Sequence, residues 1–100
     1  MIIDLDKYIN RTIEFQLNGE LIKVQELTPS LFKKVSAYEM TEEPEKIYEK
    51  QVELVTEMLN RNTSGKKFTE KDIEKLPQSV VNKIYISIVS FTKEPLNDPN

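Results

Sequence analysis

The alternation of apolar and polar residues predicts a β-hairpin near the start of the chain. Asn18-Gly19 lies between two alternating segments, and Asn-Gly favours the type I′ turn that joins antiparallel strands. A two-residue loop fixes the register, so that Phe15 lies opposite Ile22 and Glu14 opposite Lys23. The apolar face of this hairpin comprises Ile13, Phe15, Leu17, Ile22 and Val24. Because an isolated hairpin is only marginally stable in water, we expect helices to cover that face.

Apolar residues at helical spacing follow the hairpin in two segments. Thr28-Pro29 is typical of an N-cap followed by proline in the first turn, and the helix it starts should continue to about Met40. A longer amphipathic helix is expected from about Glu45 to Asn60. Its predicted apolar stripe comprises Ile47, Tyr48, Val52, Val55, Met58 and Leu59.

Two more helices are expected in the C-terminal part of the chain. Thr69 and Asp72 have the spacing of a capping box, with aspartate in place of the usual glutamate. A final helix is expected from Ser79, although the β-branched content of residues 85–91 leaves a strand there as the alternative. Its apolar residues at helical spacing are Val80, Val81, Ile84, Ile88 and Phe91.

These elements predict an α+β fold in which an N-terminal β-hairpin packs against a small bundle of three to four α-helices. We expect one domain over residues 1–93, since a chain of 100 residues fits a single domain and shows no linker or internal repeat. Residues 94–100 contain two prolines and no periodicity, which predicts a disordered C-terminal tail.

Composition narrows the chemistry that is available to the chain. The sequence has no Cys and no His, and its 14 basic and 17 acidic side chains give a formal charge of −3. This excludes disulfide scaffolds, Cys/His zinc sites and nucleophiles activated by imidazole. With no constellation of nucleophile, base and orienting group, we expect a non-enzymatic protein without cofactor or metal. The acidic balance and the short apolar segments argue against nucleic-acid binding, a signal peptide and a membrane span.

Two surface features are candidates for partner binding. Glutamates recur every four residues on the longer helix, where a solvated face with offset ion pairs to Lys46, Lys50 and Arg61 is the simpler interpretation and an acidic docking stripe the alternative. These glutamates are Glu45, Glu49, Glu53 and Glu57. The tyrosines lie on or beside apolar stripes and are expected to pack there. Alternatively, Tyr38, Met40 and Tyr48 flank an exposed groove for a partner helix or a second copy of the chain.

Four segments of the chain together resemble one known family. They are the aspartate-leucine opening at Ile3-Asp4-Leu5-Asp6, the hairpin with its glycine turn, the helix entry at Leu27-Thr28-Pro29, and residues 68–77 before a last apolar helix. Over residues 3–92, this order is similar to that of the tail assembly chaperones of long-tailed phages and prophages of low-GC Gram-positive bacteria.

The resemblance implies a protein that acts in tail morphogenesis, in the cytoplasm of the bacterial host, and is not retained in the finished virion. Such chaperones are thought to bind the tape measure protein and keep its helical, apolar segments soluble while tail tube subunits polymerise around it. The tape measure protein, possibly the tail tube protein, and further copies of the chain are therefore the implied partners. Many members occur in two lengths, and this chain would be the short form.

A chaperone of this kind needs an apolar groove that recognises amphipathic helices by anchor residues. We expect this groove at the seam between the first two long helices. The candidate partner-binding residues are Phe32, Val35, Tyr38 and Tyr48.

Two other functions remain open. One is a small acidic inhibitor, encoded by a phage or plasmid, that mimics DNA through the glutamate face, although a charge of −3 is weak for such mimicry. The other is a structural virion component such as a connector, which would be present in purified particles whereas a chaperone would be absent from them.

Overall fold

A computed structural model describes residues 1–94, which form a two-stranded antiparallel sheet and five helices. The predicted α+β fold is confirmed. Residues 95–100 of the predicted tail lie outside the described part of the chain. In chain order the elements are α1 (Asp6–Ile9), β1 (Thr12–Leu17), β2 (Glu20–Gln25), α2 (Pro29–Glu39), α3 (Pro44–Leu59), α4 (Glu70–Glu74) and α5 (Gln78–Lys93).

The hairpin has the predicted register, with Phe15 opposite Ile22 and Glu14 opposite Lys23. Its turn has φ values of 54° at Asn18 and 78° at Gly19, as a type I′ turn requires. No atom lies within 4 Å of a Cβ added to Gly19, so glycine is favoured there by backbone conformation and not by space.

A loop that follows α3 covers the outer edge of β2, which the sequence pattern did not indicate. The backbone N–H of Gln25 donates to the Arg61 carbonyl at 3.1 Å, and the N–H of Thr63 donates to the Lys23 carbonyl at 2.8 Å. Ser64 Oγ accepts the N–H of Lys23 at 3.3 Å. The loop therefore occupies the place of a third strand on this side of the hairpin.

The helix starts follow the predicted capping chemistry. Thr28 Oγ1 accepts the N–H of Leu31 at 3.2 Å at the start of α2. At α4 the capping box is complete, since Thr69 Oγ1 accepts the Asp72 N–H at 3.2 Å and Asp72 Oδ2 accepts the Thr69 N–H at 2.9 Å. Each of these bonds satisfies a backbone donor that the first helical turn leaves free.

The strand alternative for residues 85–91 is wrong, because α5 is helical through all of them. Val81, Ile84 and Ile88 are at most 5% exposed and lie on the helix face that meets the core. Burial along one face with helical period outweighs the weak strand preference of β-branched residues.

The core lies between the apolar face of the hairpin and helices α2 to α5. Its most deeply buried members are Ile22, Val24, Val35, Val55, Met58, Leu59, Ile73, Val81 and Ile88. The predicted stripe of α3 is correct at its C-terminal end and wrong at Tyr48, which is 61% exposed. Tyr48 shares the helix face of Val55 but lies two turns nearer the start of α3, where that face extends beyond the core.

Candidate partner-binding surface

A cleft of about 260 Å³ runs along the seam between α2 and α3, and we call it the seam cleft. Its lining residues are Lys34, Ala37, Tyr38, Lys50, Glu53, Leu54 and Glu57. Lys34 Nζ lies 3.0 Å from Glu57 Oε1 and joins the two helices across the cleft. Charges of both signs on the rim and the ring of Tyr38 beside Leu54 make the cleft amphipathic.

The structure separates the four residues that the sequence placed in one groove. Val35 is 2% exposed and belongs to the core, so it is not available to a partner in this conformation. Phe32 is half-buried, and its ring centroid lies 5.8 Å from Lys93 Nζ at the end of α5. Tyr38 lines the seam cleft, and Tyr48 is exposed at the start of α3. Tyr38 and Tyr48 are therefore the members of the set that a partner at this seam can contact.

Tyr38 is held in place by an aromatic contact with α5. Its ring and that of Tyr85 meet edge to face, with centroids 5.3 Å apart and planes inclined at 70°. The hydroxyl of Tyr85 donates to Glu39 Oε1 at 3.0 Å. No local sequence pattern indicates this cluster, because Glu39 and Tyr85 lie 46 positions apart on two different helices.

The two tyrosines remain neutral at ordinary pH. Burial, followed by the hydrogen bond to Glu39, raises the pKa of Tyr85 well above its usual value. Burial also raises the pKa of Tyr38, with smaller contributions from Tyr48 and Glu39. Tyr38, which lines the seam cleft, therefore presents a neutral hydroxyl there.

Exposed apolar side chains cluster in sequence where α2 ends and α3 begins. Met40, the residue that caps α2, is 81% exposed, and Tyr48 is 61% exposed. The connection between the helices is held by Lys50 Nζ, which donates to Thr41 Oγ1 at 3.5 Å. We call Tyr38, Met40 and Tyr48 the α2–α3 patch.

The glutamate face of α3 is exposed along its whole length, as the solvated interpretation predicts. The observed ion pairs differ from the expected offset pairs along the helix. Glu57 pairs with Lys34 of α2, Lys46 pairs with Glu43 at 3.2 Å, and Arg61 donates to the carbonyl of Glu26 at 3.1 Å. The face therefore contributes one link between helices and otherwise remains in contact with solvent.

A second and more apolar cavity, of about 410 Å³, lies between β1 and α5, and we call it the β1–α5 groove. Its lining residues are Phe15, Gln16, Leu17, Ile22, Leu59, Ser79, Val80, Lys83 and Ile84. Sequence reasoning missed this groove because its walls come from segments that are more than 60 residues apart.

Within residues 1–94 no group of three or more His, Cys, Asp or Glu side chains is placed to hold a metal ion. The helices of the same residues are all too short or too polar to cross a membrane. Comparison with protein-family models, with curated proteins and with solved structures finds no match to this chain.

Proposed function

We propose that this protein is a tail assembly chaperone that binds the tape measure protein in the cytoplasm of a bacterial host. The proposal is supported by the family resemblance of residues 3–92, and the structural observation that carries it is the α2–α3 patch. Met40 and Tyr48 leave most of their surface in water although both are of types enriched in the cores of protein interfaces. A helix of the client with apolar anchors would cover them.

The surroundings of the patch suit a client that must be held soluble and later released. The rim of the seam cleft carries cations at Lys34 and Lys50 and anions at Glu53 and Glu57, so an amphipathic helix can place its polar residues beside either sign. Methionine and tyrosine present adaptable apolar surface that tolerates different anchor residues. In this role the protein performs no chemistry and needs no cofactor.

Co-expression with the tape measure protein encoded nearby tests the proposal. We expect the wild-type chain to keep the client in the soluble fraction and to co-purify with it. Tyr48→Glu should weaken this complex by about tenfold or more, since charge replaces an aromatic anchor. Tyr8→Glu is the matched control, because Tyr8 is also exposed, at 42%, but lies in α1.

Three results would count against the proposal. The client would precipitate equally with and without the protein, or Tyr48→Glu and Tyr8→Glu would have equal effects on the complex. Recovery of the protein from purified virions would favour a structural tail component instead.

A further inference from the structure

The outer edge of β1 has free hydrogen-bonding groups. In an antiparallel pair, alternate residues direct their backbone groups away from the partner strand. Lys23 and Gln25 direct theirs to the loop after α3, so the residues opposite them, Glu14 and Thr12, point away from β2 on the other side. Gln16 does the same two residues along. Within residues 1–94, nothing pairs with these outward groups, and the sheet ends at β1.

The β1–α5 groove runs beside this free edge. Three consecutive β1 residues, Phe15, Gln16 and Leu17, line the groove on one side, and Ser79, Val80 and Lys83 of α5 line the other. A strand edge next to an apolar groove is the arrangement that accepts an added extended segment. The edge supplies main-chain hydrogen bonds, and the groove receives alternate side chains.

The same chain carries an exposed apolar segment of the required kind. Residues 1–4 are neither helix nor strand, and every residue of 1–5 is exposed. Ile3 and Leu5 are 67% and 63% exposed, and Ile2 is almost fully exposed. Isoleucine is favoured in strands. We call residues 1–5 the N-terminal arm.

We propose that the N-terminal arm of one copy adds as a third strand to β1 of a second copy, with its apolar side chains in the β1–α5 groove. The outward backbone groups of Thr12, Glu14 and Gln16 provide the main-chain hydrogen bonds. Because side chains alternate between the two faces of an extended segment, Ile3 enters the groove together with Met1, whereas Ile2 and Asp4 face away from it. This inference goes beyond the proposed function and does not rest on it, because it uses a different face of the molecule.

A second copy fits the groove better than the chain's own arm. The Leu5 carbonyl accepts the N–H groups of Tyr8 and Ile9 at 3.0 and 3.1 Å, so α1 begins directly after the arm. Arg11 is fixed by Glu26 and by Phe91. Folding back onto β1 of the same chain would require α1 to unwind, whereas an arm from a second copy leaves α1 intact.

Two variants at exposed positions separate the arm from the groove. Ile3→Glu alters the arm and leaves the groove unchanged, and Ser79→Arg obstructs the groove and leaves the arm unchanged. We expect the wild-type chain to self-associate in sedimentation equilibrium, and each variant alone to raise the dissociation constant at least about tenfold. Ile9→Glu and Ser90→Arg are matched controls at other exposed positions and should associate like the wild type.

Mixing the two variants gives the sharpest test. Ile3→Glu offers an intact groove and Ser79→Arg an intact arm, so an equimolar mixture should form a 1:1 complex that neither variant forms alone. In the wild type, the amides of Glu14 and Gln16 should exchange hydrogen more slowly as the protein concentration rises.

Any of three results would overturn the inference. The first is a wild-type chain that remains monomeric up to about 1 mM, a concentration at which most specific complexes form. The second is a self-complex that both variants leave unchanged, and the third is a mixture of the variants that forms no 1:1 complex. Circular dichroism of each variant shows whether it is folded, and none of these results depends on binding of the tape measure protein.

Discussion

Asn62 satisfies four backbone groups with one amide side chain. Its Nδ2 donates to the carbonyls of Leu59 and Lys66 at 2.7 and 2.8 Å, and its Oδ1 accepts the N–H groups of Ser64 and Lys66, both at 3.0 Å. These bonds give the loop after α3 the shape that lies along β2. Because both donor and acceptor atoms are used, only an amide fits the position.

Asn62→Asp keeps the size of the side chain but removes its donors. We expect the free energy of unfolding to fall by about 2–3 kcal/mol, because two carbonyls lose their partner and face a carboxylate oxygen. Urea unfolding measures the change. Asn10→Asp is the control at an exposed asparagine, with an expected change below about 0.5 kcal/mol; equal effects of the two substitutions would contradict the role of the amide donors.

Arg11 joins the start of the hairpin to the end of α5. Its side chain is only 8% exposed, Nε lies 2.9 Å from Glu26 Oε2, and the guanidinium lies 4.2 Å from the centroid of the Phe91 ring. A second guanidinium nitrogen donates to the Phe91 carbonyl. The planar guanidinium makes these contacts together, which a lysine ammonium cannot do.

Arg11→Lys should therefore destabilise the fold although it keeps the charge. We expect a loss of about 2 kcal/mol of unfolding free energy, since hydrogen bonds to charged groups contribute about 1.5–3 kcal/mol each. Thermal and urea unfolding provide the measurement. Lys23→Ala breaks an exposed pair with Glu14 whose atoms are 4.0 Å apart, and its effect should stay below about 1 kcal/mol; a larger effect there than at Arg11 would refute the expectation.

At the residue scale, the sequence predicted the role of a side chain when its hydrogen-bond partner lies a few residues away in the chain. Thr28, Thr69 and Asp72 bond to groups three residues away, so local spacing identified them as caps. Arg11 and Phe91 lie 80 positions apart, and no local pattern connects them. The same reason explains why the sequence did not predict the contact between the rings of Tyr38 and Tyr85.

At the scale of the elements, the long helices α3 and α5 pack mainly through apolar side chains, and hydrogen bonds of one buried glutamine also join them. Gln51 of α3 is 4% exposed. Its Nε2 donates to Asn82 Oδ1 at 3.1 Å, and its Oε1 accepts from Gln78 Nε2 at 2.6 Å. Both partners belong to α5 and are themselves exposed, so water can replace Gln51 as their partner.

Gln51→Leu and Gln51→Ala should therefore differ. Leucine fills the space of the glutamine and leaves no buried polar group without a partner, so we expect a cost below about 1 kcal/mol. Alanine leaves a cavity as well, and should cost about 2–3 kcal/mol. Denaturant unfolding of the two variants distinguishes these values, and a loss well above about 1 kcal/mol for leucine would show that the hydrogen bonds of Gln51 themselves stabilise the helix pair.

The sequence predicted a strand or helix correctly where interactions between residues close in the chain determine it. The Asn18-Gly19 turn fixes the hairpin register, and the observed pairing is the predicted one. Residues 85–91 left two alternatives because β-branched residues favour strands locally, and only the packed core decides for helix. Tyr48 shares a face with buried residues, and its exposure depends on how far the neighbouring elements extend.

For the whole molecule, the absence of His and Cys removes the side chains that ordinarily titrate between about pH 5 and 9. The groups with shifted pKa values are an aspartate, which titrates below this pH range, and two tyrosines, which titrate above it. The hydrogen bonds of Asp72 with Thr69 lower its pKa. Because the pKa of Asp72 is lower in the folded state, its ionised form stabilises the fold at a pH above its pKa in the unfolded chain, which is near 4. This stability is lost as the pH falls through the pKa of the folded state.

The tyrosines act in the opposite direction at alkaline pH. The raised pKa values of Tyr85 and Tyr38 give stability below the unfolded value near 10, which is lost as the pH rises towards the folded values. We therefore expect a plateau in melting temperature between about pH 5 and 9, with a fall on each side. Asp72→Asn should flatten the acidic fall and Tyr85→Phe the alkaline one, both measured by calorimetry. A marked slope inside the plateau would contradict this expectation.

The two edges of the hairpin differ in a way that limits disordered aggregation. Sheets extend without limit only when every unit offers two free edges. Here the loop after α3 closes the β2 edge through the backbones of Lys23 and Gln25, and β1 alone stays open. A hairpin of this kind ends the sheet on its β2 side, so a strand that adds to β1 cannot be followed by a further copy at β2.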